Sequence, residues 1–148
     1  MAILSAKDII ANKTKFLKKT SEFVVLNVEG LGACKFKVPD HADTMDIAEM
    51  LEADGKNVND RHEYEKYTVY NQMVEPDLSD AELVKVCAEV VGKNPETAVT
   101  GPWMVWVLMK MGQAHNIVDL LATEAGYGAD SVNMIVEAEA EGAVATKN

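Results

Sequence analysis

A proline within a helical pattern, Pro76, is the feature that most limits how this chain can fold. Tyrosine and apolar side chains repeat at helical spacing over residues 64–74, just before it. Proline lacks an amide hydrogen and its ring crowds the preceding turn, so this helix must end before the proline. Ser79 then suits the N-cap of a new helix, with Glu82 three residues later as its capping-box partner. The sequence therefore predicts two helices separated by a turn.

The segment 22–39 has the pattern of a β-hairpin. Its first half is rich in β-branched and aromatic residues, and Gly30 and Gly32 allow a turn. In its second half, apolar residues alternate with Lys35 and Lys37, which is typical of a strand with one buried face. A two-stranded hairpin is marginally stable by itself, so we expect it to pack on helices or to pair with another subunit.

The remaining sequence predicts helices. Apolar residues recur at helical spacing after several candidate N-caps, which are Asp43 or Thr44, Asn59 or Asp60, and Asp130 or Ser131. The residues from Ser5 to Asp8 can also begin a short helix, with apolar side chains on or near one face. The predicted fold class is mainly α, a helical single domain with an N-terminal β-hairpin.

The length of 148 residues suits one domain. We assign residues 1–20 to a basic N-terminal arm, residues 21–141 to the mainly helical domain, and residues 142–148 to a disordered tail. The hairpin at 22–39 belongs to the helical domain.

Charge is distributed unevenly along the chain. Residues 1–38 carry seven lysines and three carboxylates, residues 39–148 carry 7 basic and 21 acidic residues, and the net charge is −10. A protein this acidic is repelled by phosphate backbones, which argues against nucleic acid as a partner. The uneven distribution has two interpretations. In the first, the basic and the acidic side chains are simply solvated at the surface. In the second, the basic arm of one copy contacts an acidic neighbour in a homo-oligomer.

No segment predicts a contact with a membrane. The longest apolar run, residues 103–109, is far too short to cross a bilayer. Residues 1–4 do not begin a signal peptide, because no long apolar stretch follows a positive charge there. We expect a cytoplasmic protein.

Side chains that carry catalysis or bind metals are scattered. His41, His62 and His115 lie in no cluster with ligand spacing. Cys34 and Cys87 fall in apolar patterns and predict buried, reduced thiols. The sequence contains no phosphate-binding loop, nucleophile elbow or catalytic Cys–His signature. We therefore expect no enzymatic activity, no cofactor and no metal site.

One short motif points to a different class of protein. Residues 128–132 resemble the attachment site of acyl carrier proteins, in which a serine at the start of a helix carries phosphopantetheine. A carrier needs another pair of helices after its serine, whereas only 17 residues follow Ser131. A helix cap explains the same residues, and the carrier remains a minor alternative.

A stripe of tryptophan and methionine follows Pro102, which suits a first helical position. Such a stripe is a helix core in one interpretation. In the other, flexible thioethers and large indoles form an adaptable groove for a helix of another protein. Gly112 is expected to end or bend this helix. The candidate partner-binding residues are Trp103, Trp106, Met109 and Met111, with Tyr67 and Tyr70 on the preceding helix.

Several helix ends and apolar faces follow one another in a recognisable order. Residues 74–83 read VEPDL-SDAEL, residues 94–99 read NPETAV before the hydrophobic helix, and residues 117–121 read IVDLL before the AGY of 125–127. With these motifs, residues 64–128 resemble the tail assembly chaperones of long-tailed bacteriophages. The similarity is greatest to those of contractile-tail prophages and phage-tail-like particles of Gram-positive bacteria. The hairpin that ends in FKVP at 36–39 also suits such proteins.

The resemblance implies a binding function and no catalysed reaction. Such chaperones bind the tape measure protein, keep this long helical chain soluble, recruit tail tube subunits and leave before the tail is finished. They act in the cytoplasm of the bacterial host and are not expected in the mature tail. A structural tail component that stays in the particle, such as an adaptor or connector, is the alternative.

Overall fold

Helices cover one face of a small antiparallel sheet in the main body of the protein. The structure is a computed structural model that describes residues 3–17, 21–92, 101–128, 132 and 134. The elements before the first long helix are α1 (Ala6–Ala11), α2 (Lys13–Phe16), β1 (Phe23–Val28) and β2 (Gly32–Lys37). They are followed by α3 (His41–Ala53), α4 (Arg61–Gln72), β3 (Met73–Glu75), α5 (Ala81–Val91), α6 (Trp103–Leu108), α7 (Met111–Ala122) and a π-helical turn, Thr123–Tyr127. The mainly α fold with an N-terminal β-hairpin is confirmed.

The sheet has the order β1-β2-β3, with both pairs antiparallel. As the alternation predicts, Cys34 and Phe36 are buried, whereas Lys35 and Lys37 are only partly covered. Gly30 and Gly32 have positive φ angles of 85° and 123°, a conformation that other residues rarely adopt. β1 is an edge strand, and within the described ranges no residue pairs with its outer edge.

The connection around Pro76 differs from the prediction. α4 ends at Gln72, and the next three residues form β3 against β2, so the helix stops before Val74. The expected Ser79–Glu82 capping box is wrong as well, because Asp80 is the N-cap of α5 and accepts a hydrogen bond from the Leu83 amide at 2.9 Å. The open edge of β2 and the burial of Met73 account for the extra strand.

Two other helix boundaries also differ from the prediction. α3 begins with a capping box between Asp40 and Asp43, so Asp43 is the third residue of the helix rather than its N-cap. α6 ends at Leu108, because Met109 is extended, and Gly112 lies inside the first turn of α7. At the start of α7, the Gln113 side chain accepts a hydrogen bond from the Lys110 amide at 2.9 Å.

The main core joins the sheet to the helices. Its buried residues come from the hairpin, the end of α4, β3, α5, α6 and α7, and they include Phe36, Val69, Met104, Val105 and Leu121. A smaller cluster joins α3 to α4 through Ile47, Leu51 and Tyr67. Both cysteines are buried and form no disulfide, as predicted.

Residues 21–128 form one unit, and the residues before and after them group into a second one. In the second unit, the predicted helix at Ser5 is confirmed, with reciprocal bonds between Ser5 and Asp8. The predicted C-terminal helix after Asp130 or Ser131 and the tail at 142–148 lie outside the described residues. None of the helices in the described ranges is both long enough and apolar enough to cross a membrane.

Candidate partner-binding surface

A buried lysine on α4 brings together three of the predicted partner-binding residues. Lys66 is only 4% exposed, and its Nζ lies 5.7 Å from the ring centroid of Tyr67, 5.6 Å from that of Trp103 and 5.9 Å from that of Trp106. Glu63 supplies the counter-charge, with its Oε2 2.9 Å from the same nitrogen. Lys66 therefore fixes both indoles of α6 against α4.

The physical basis of this cluster is compensation of a buried charge. Removing an ammonium from water costs several kcal/mol unless the charge is paired. Here a carboxylate one helical turn earlier and the faces of three aromatic rings attract it, and each desolvated ring contact is worth about 1–2 kcal/mol. The Lys66 ammonium is the partner of the buried Oε2 atom of Glu63.

A second polar cluster joins α4 to α7. Glu65 is also 4% exposed, and its Oε2 lies 2.5 Å from Nδ1 of His115. Arg61 approaches the other carboxylate oxygen at 3.5 Å, and Nε2 of His115 lies 3.3 Å from Asp119. Carboxylates therefore lie close to both ring nitrogens of His115. This arrangement suits a structural link between helices.

A groove runs along the end of α6, and we call it the α6 groove. It has a volume of about 530 Å³, and its walls are the turn of the hairpin, the last turn of α6 and the start of α7. The Gln113 side chain donates a hydrogen bond of 2.8 Å to the carbonyl of Glu29, which ties α7 to the hairpin turn. The lining residues are Glu29, Gly30, Trp106, Val107, Leu108, Met109, Lys110 and Gln113.

A smaller pocket of about 220 Å³ lies on β1 and α7 and shares Glu29 and Gln113 with the α6 groove. Ile117 and Leu120 supply its apolar wall. The two spaces are therefore neighbours at Glu29 and Gln113.

The predicted partner-binding residues lie in different environments. Trp103 and Met111 are each 48% exposed, and Trp106 lines the α6 groove and is partly exposed. Met109 also borders this groove, but it is only 7% exposed and belongs to the main core. Tyr67 is buried behind this surface, so it is not available for direct contact with a partner in this conformation.

The two tyrosines are further from the groove than the sequence suggests. The hydroxyl of Tyr67 donates a hydrogen bond of 2.5 Å to Asp54, and burial together with this carboxylate raises the pKa of Tyr67 above its usual range. Tyr70 lines a separate pocket beside Asp77 and Leu78, and burial raises its pKa too. Tyr67 supports the candidate surface, and Tyr70 is not part of it.

A second groove, which we call the α3–α7 groove, was not predicted from the sequence. It has a volume of about 290 Å³ and lies between α3, α4 and α7, with the exposed Tyr127 at its edge. Its walls are mostly apolar. They are formed by Pro39, Thr44, Ile47, Tyr64, Thr68, Val118, Leu121, Ala122 and Tyr127.

The sequence pattern contains only weak signals for these features. Glu63 and Lys66 have the spacing of an ion pair on a helix, but such pairs are usually exposed, so the pattern does not indicate burial. The grooves form between elements that are distant in sequence. Within the described ranges, no group of histidine, cysteine and carboxylate side chains is arranged to hold a metal ion.

Comparison with models of protein families, with curated proteins and with solved structures finds no match to this chain.

Proposed function

We propose that this chain is a tail assembly chaperone of a long-tailed bacteriophage, prophage or phage-tail-like particle. It binds the tape measure protein, keeps that protein soluble and recruits tail tube subunits while the tail assembles. It acts in the cytoplasm of the bacterial host and leaves before the tail is complete. The proposal is based on the resemblance of residues 64–128, and the α6 groove is the structural observation that supports it best.

The α6 groove has the features that a chaperone of a helical client needs. Trp106 lines it and is partly exposed, and Trp103 on α6 and Met111 on α7 are each 48% exposed. Met109, between the two helices, also borders the groove but is buried. Thioethers adapt to varied apolar side chains, and indoles supply large contact areas, so this surface can hold successive segments of an amphipathic client. Moderate affinity and adaptable contacts are what a transient partner requires.

The charge of the chain supports the same role. A complex that covers the apolar stripe of a long client must itself stay soluble, and a net charge of −10 on 148 residues opposes association between complexes. Lys66, which is buried beside the two indoles, helps to hold them in position.

The test is co-purification of this protein with a tape measure protein encoded beside its gene. We expect the wild-type chain to retain the client and the Met111→Ala variant to retain clearly less. Met45→Ala is a matched control, because Met45 is 50% exposed on α3 and Met111 is 48% exposed on α7. Absence of co-purification with the wild-type chain, or equal loss in both variants, contradicts the proposal.

The second candidate is a structural tail component that remains in the particle, and the free edge of β1 favours it. An unpaired strand edge can continue a sheet into a neighbouring subunit and so build a permanent assembly. Mass spectrometry of purified particles distinguishes the two candidates. A chaperone is absent from mature tails, whereas a structural component is present in them.

A further inference from the structure

The N-terminal arm, residues 3–17, has large apolar side chains that are exposed. α1 and α2 contain no buried residue. Helices of this length are marginally stable in water unless they pack against another surface. α1 is nevertheless completely capped by Ser5 and Asp8, so its sequence favours the helix. The large exposed side chains are Ile3, Leu4, Ile10, Phe16 and Leu17.

The arm is also basic. Residues 1–20 contain five lysines and one aspartate. Lys15 lies over the ring of Phe16, with its Nζ 5.2 Å from the ring centroid, so charge and apolar surface are adjacent. A receptor for this arm must therefore combine an apolar floor with a negative rim.

The α3–α7 groove has this combination. Its lining is mostly apolar, and α3 contains no lysine or arginine. Three carboxylates of α3, Asp46, Glu49 and Glu52, are exposed, whereas the fourth, Asp43, is buried and paired with Lys37. α7 and the π-helical turn add Asp119 and Glu124, again without lysine or arginine. Asp119 is well exposed, with 68% of its side-chain surface accessible, and Asp46 and Glu124 are exposed as well. The groove is open, so it has apolar area left to bury.

We propose that the arm of one copy docks in the α3–α7 groove of a second copy of this chain. The side chains of Ile10 and Phe16 enter the groove, and the lysines of the arm face the carboxylates of α3 and α7. Charge complementarity selects this occupant, because the arm is basic and apolar, and α3 and α7, two of the three helices around the groove, carry more exposed carboxylates than basic side chains. This inference does not rest on the proposed chaperone function, and its test contains no tape measure protein.

The test is disulfide trapping between two differently sized full-length variants. A tagged Phe16→Cys chain is mixed with an untagged Thr44→Cys chain under mild oxidation, because Thr44 is exposed and lines the groove. We expect a disulfide-linked heterodimer as the main product. It should be lost when salt is raised from about 0.1 M to about 1 M, which shortens the screening length from about 10 Å to about 3 Å.

The matched control replaces Thr44→Cys by Met45→Cys. Met45 is the next residue of α3 and does not line the groove. The native cysteines are buried, and the wild-type chain under the same oxidation shows how much disulfide they form by themselves. Equal trapping in the control, or no heterodimer, overturns the proposal. A double Phe16→Cys and Thr44→Cys variant that forms only an intrachain bond overturns it too, because the arm then docks on its own copy.

Discussion

The α6 groove and the α3–α7 groove differ in what surrounds them. The α6 groove has an indole fixed by a buried lysine, and both Glu29 and Lys110 line it. The α3–α7 groove is mostly apolar, and its two outer walls, α3 and α7, carry carboxylates and neither lysine nor arginine. Mixed charge and a large aromatic suit varied clients, whereas an acidic rim selects one basic segment. The two surfaces can therefore serve different partners.

Tyr67 lies between the two surfaces. It belongs to the small cluster with Ile47 and Leu51, and Ile47 lines the α3–α7 groove. Its ring also faces Lys66, which holds Trp106 of the α6 groove. The buried residues behind the two grooves are thus adjacent, although different residues line the grooves themselves. Substitutions of lining residues should affect either client binding or self-association. Substitutions of the buried residues behind the grooves should affect both.

The largest expected effect is on the buried ion pair that supports the α6 groove. Lys66→Met leaves Glu63 partly buried without its counter-charge, which should lower the free energy of unfolding by about 3 kcal/mol. The double variant Glu63→Gln and Lys66→Met should recover most of this loss, since it removes both charges. Urea unfolding monitored by circular dichroism measures the free energy of unfolding of both variants. A single variant as stable as wild type contradicts a structural role for this pair.

The next largest effect separates the two proposed processes, client binding in the α6 groove and self-association through the α3–α7 groove. Val107 and Val118 are both partly exposed, and each lines one groove. Val107→Glu should weaken client binding about thirtyfold, or about 2 kcal/mol, and leave self-association unchanged. Val118→Glu should do the reverse, because it adds a carboxylate to the groove proposed for the arm. Titration calorimetry and sedimentation give the two affinities, and equal effects on both processes would break the distinction.

A smaller effect concerns Tyr67 and has a defined pH dependence. Tyr67→Phe removes the hydrogen bond to Asp54 and should cost about 1.5 kcal/mol at neutral pH. The pKa of Tyr67 is raised by folding, so its contribution is fully present below the unfolded value of 10.0 and is lost as pH rises above it. The stability difference between wild type and variant should therefore narrow above pH 10. A difference that widens there contradicts the assigned direction.

The smallest effect concerns the bond that closes the α6 groove. Gln113→Ala removes the hydrogen bond to the Glu29 carbonyl and the cap at Lys110, which should cost about 1 kcal/mol of stability. Asn116→Ala is the control, because Asn116 lines the neighbouring pocket on the exposed side of α7. Thermal unfolding of the two variants gives the comparison. Equal melting temperatures would show that the bond to the turn contributes nothing.

Local patterns predicted much of the fold. Alternation identified the hairpin, and helical spacing identified the helices, because one face of each element had to be buried. Helix ends were less certain, since Asp40, Asp43 and Asp80 compete with neighbouring residues for the same capping role. β3 was not predictable because Met73–Glu75 continues a helical pattern and becomes a strand only beside the open edge of β2.

The candidate site was predicted only in part. The indoles and methionines of α6 and α7 were identified by their type, and two of them line a groove. The burial of Lys66 and the α3–α7 groove depend on helices that meet only in the folded chain. A charged residue in a helix normally indicates solvent exposure, so no local pattern predicts that Lys66 lies under two indoles.

The proposed chaperone function is tested most directly by the solubility of the client. The tape measure protein is expressed with the wild-type chain, with the Val107→Glu variant, and alone, and its soluble fraction is measured after centrifugation. We predict that the wild-type chain keeps most of the client in solution and that the variant keeps clearly less. A client whose soluble fraction is the same with and without the wild-type chain would contradict the account.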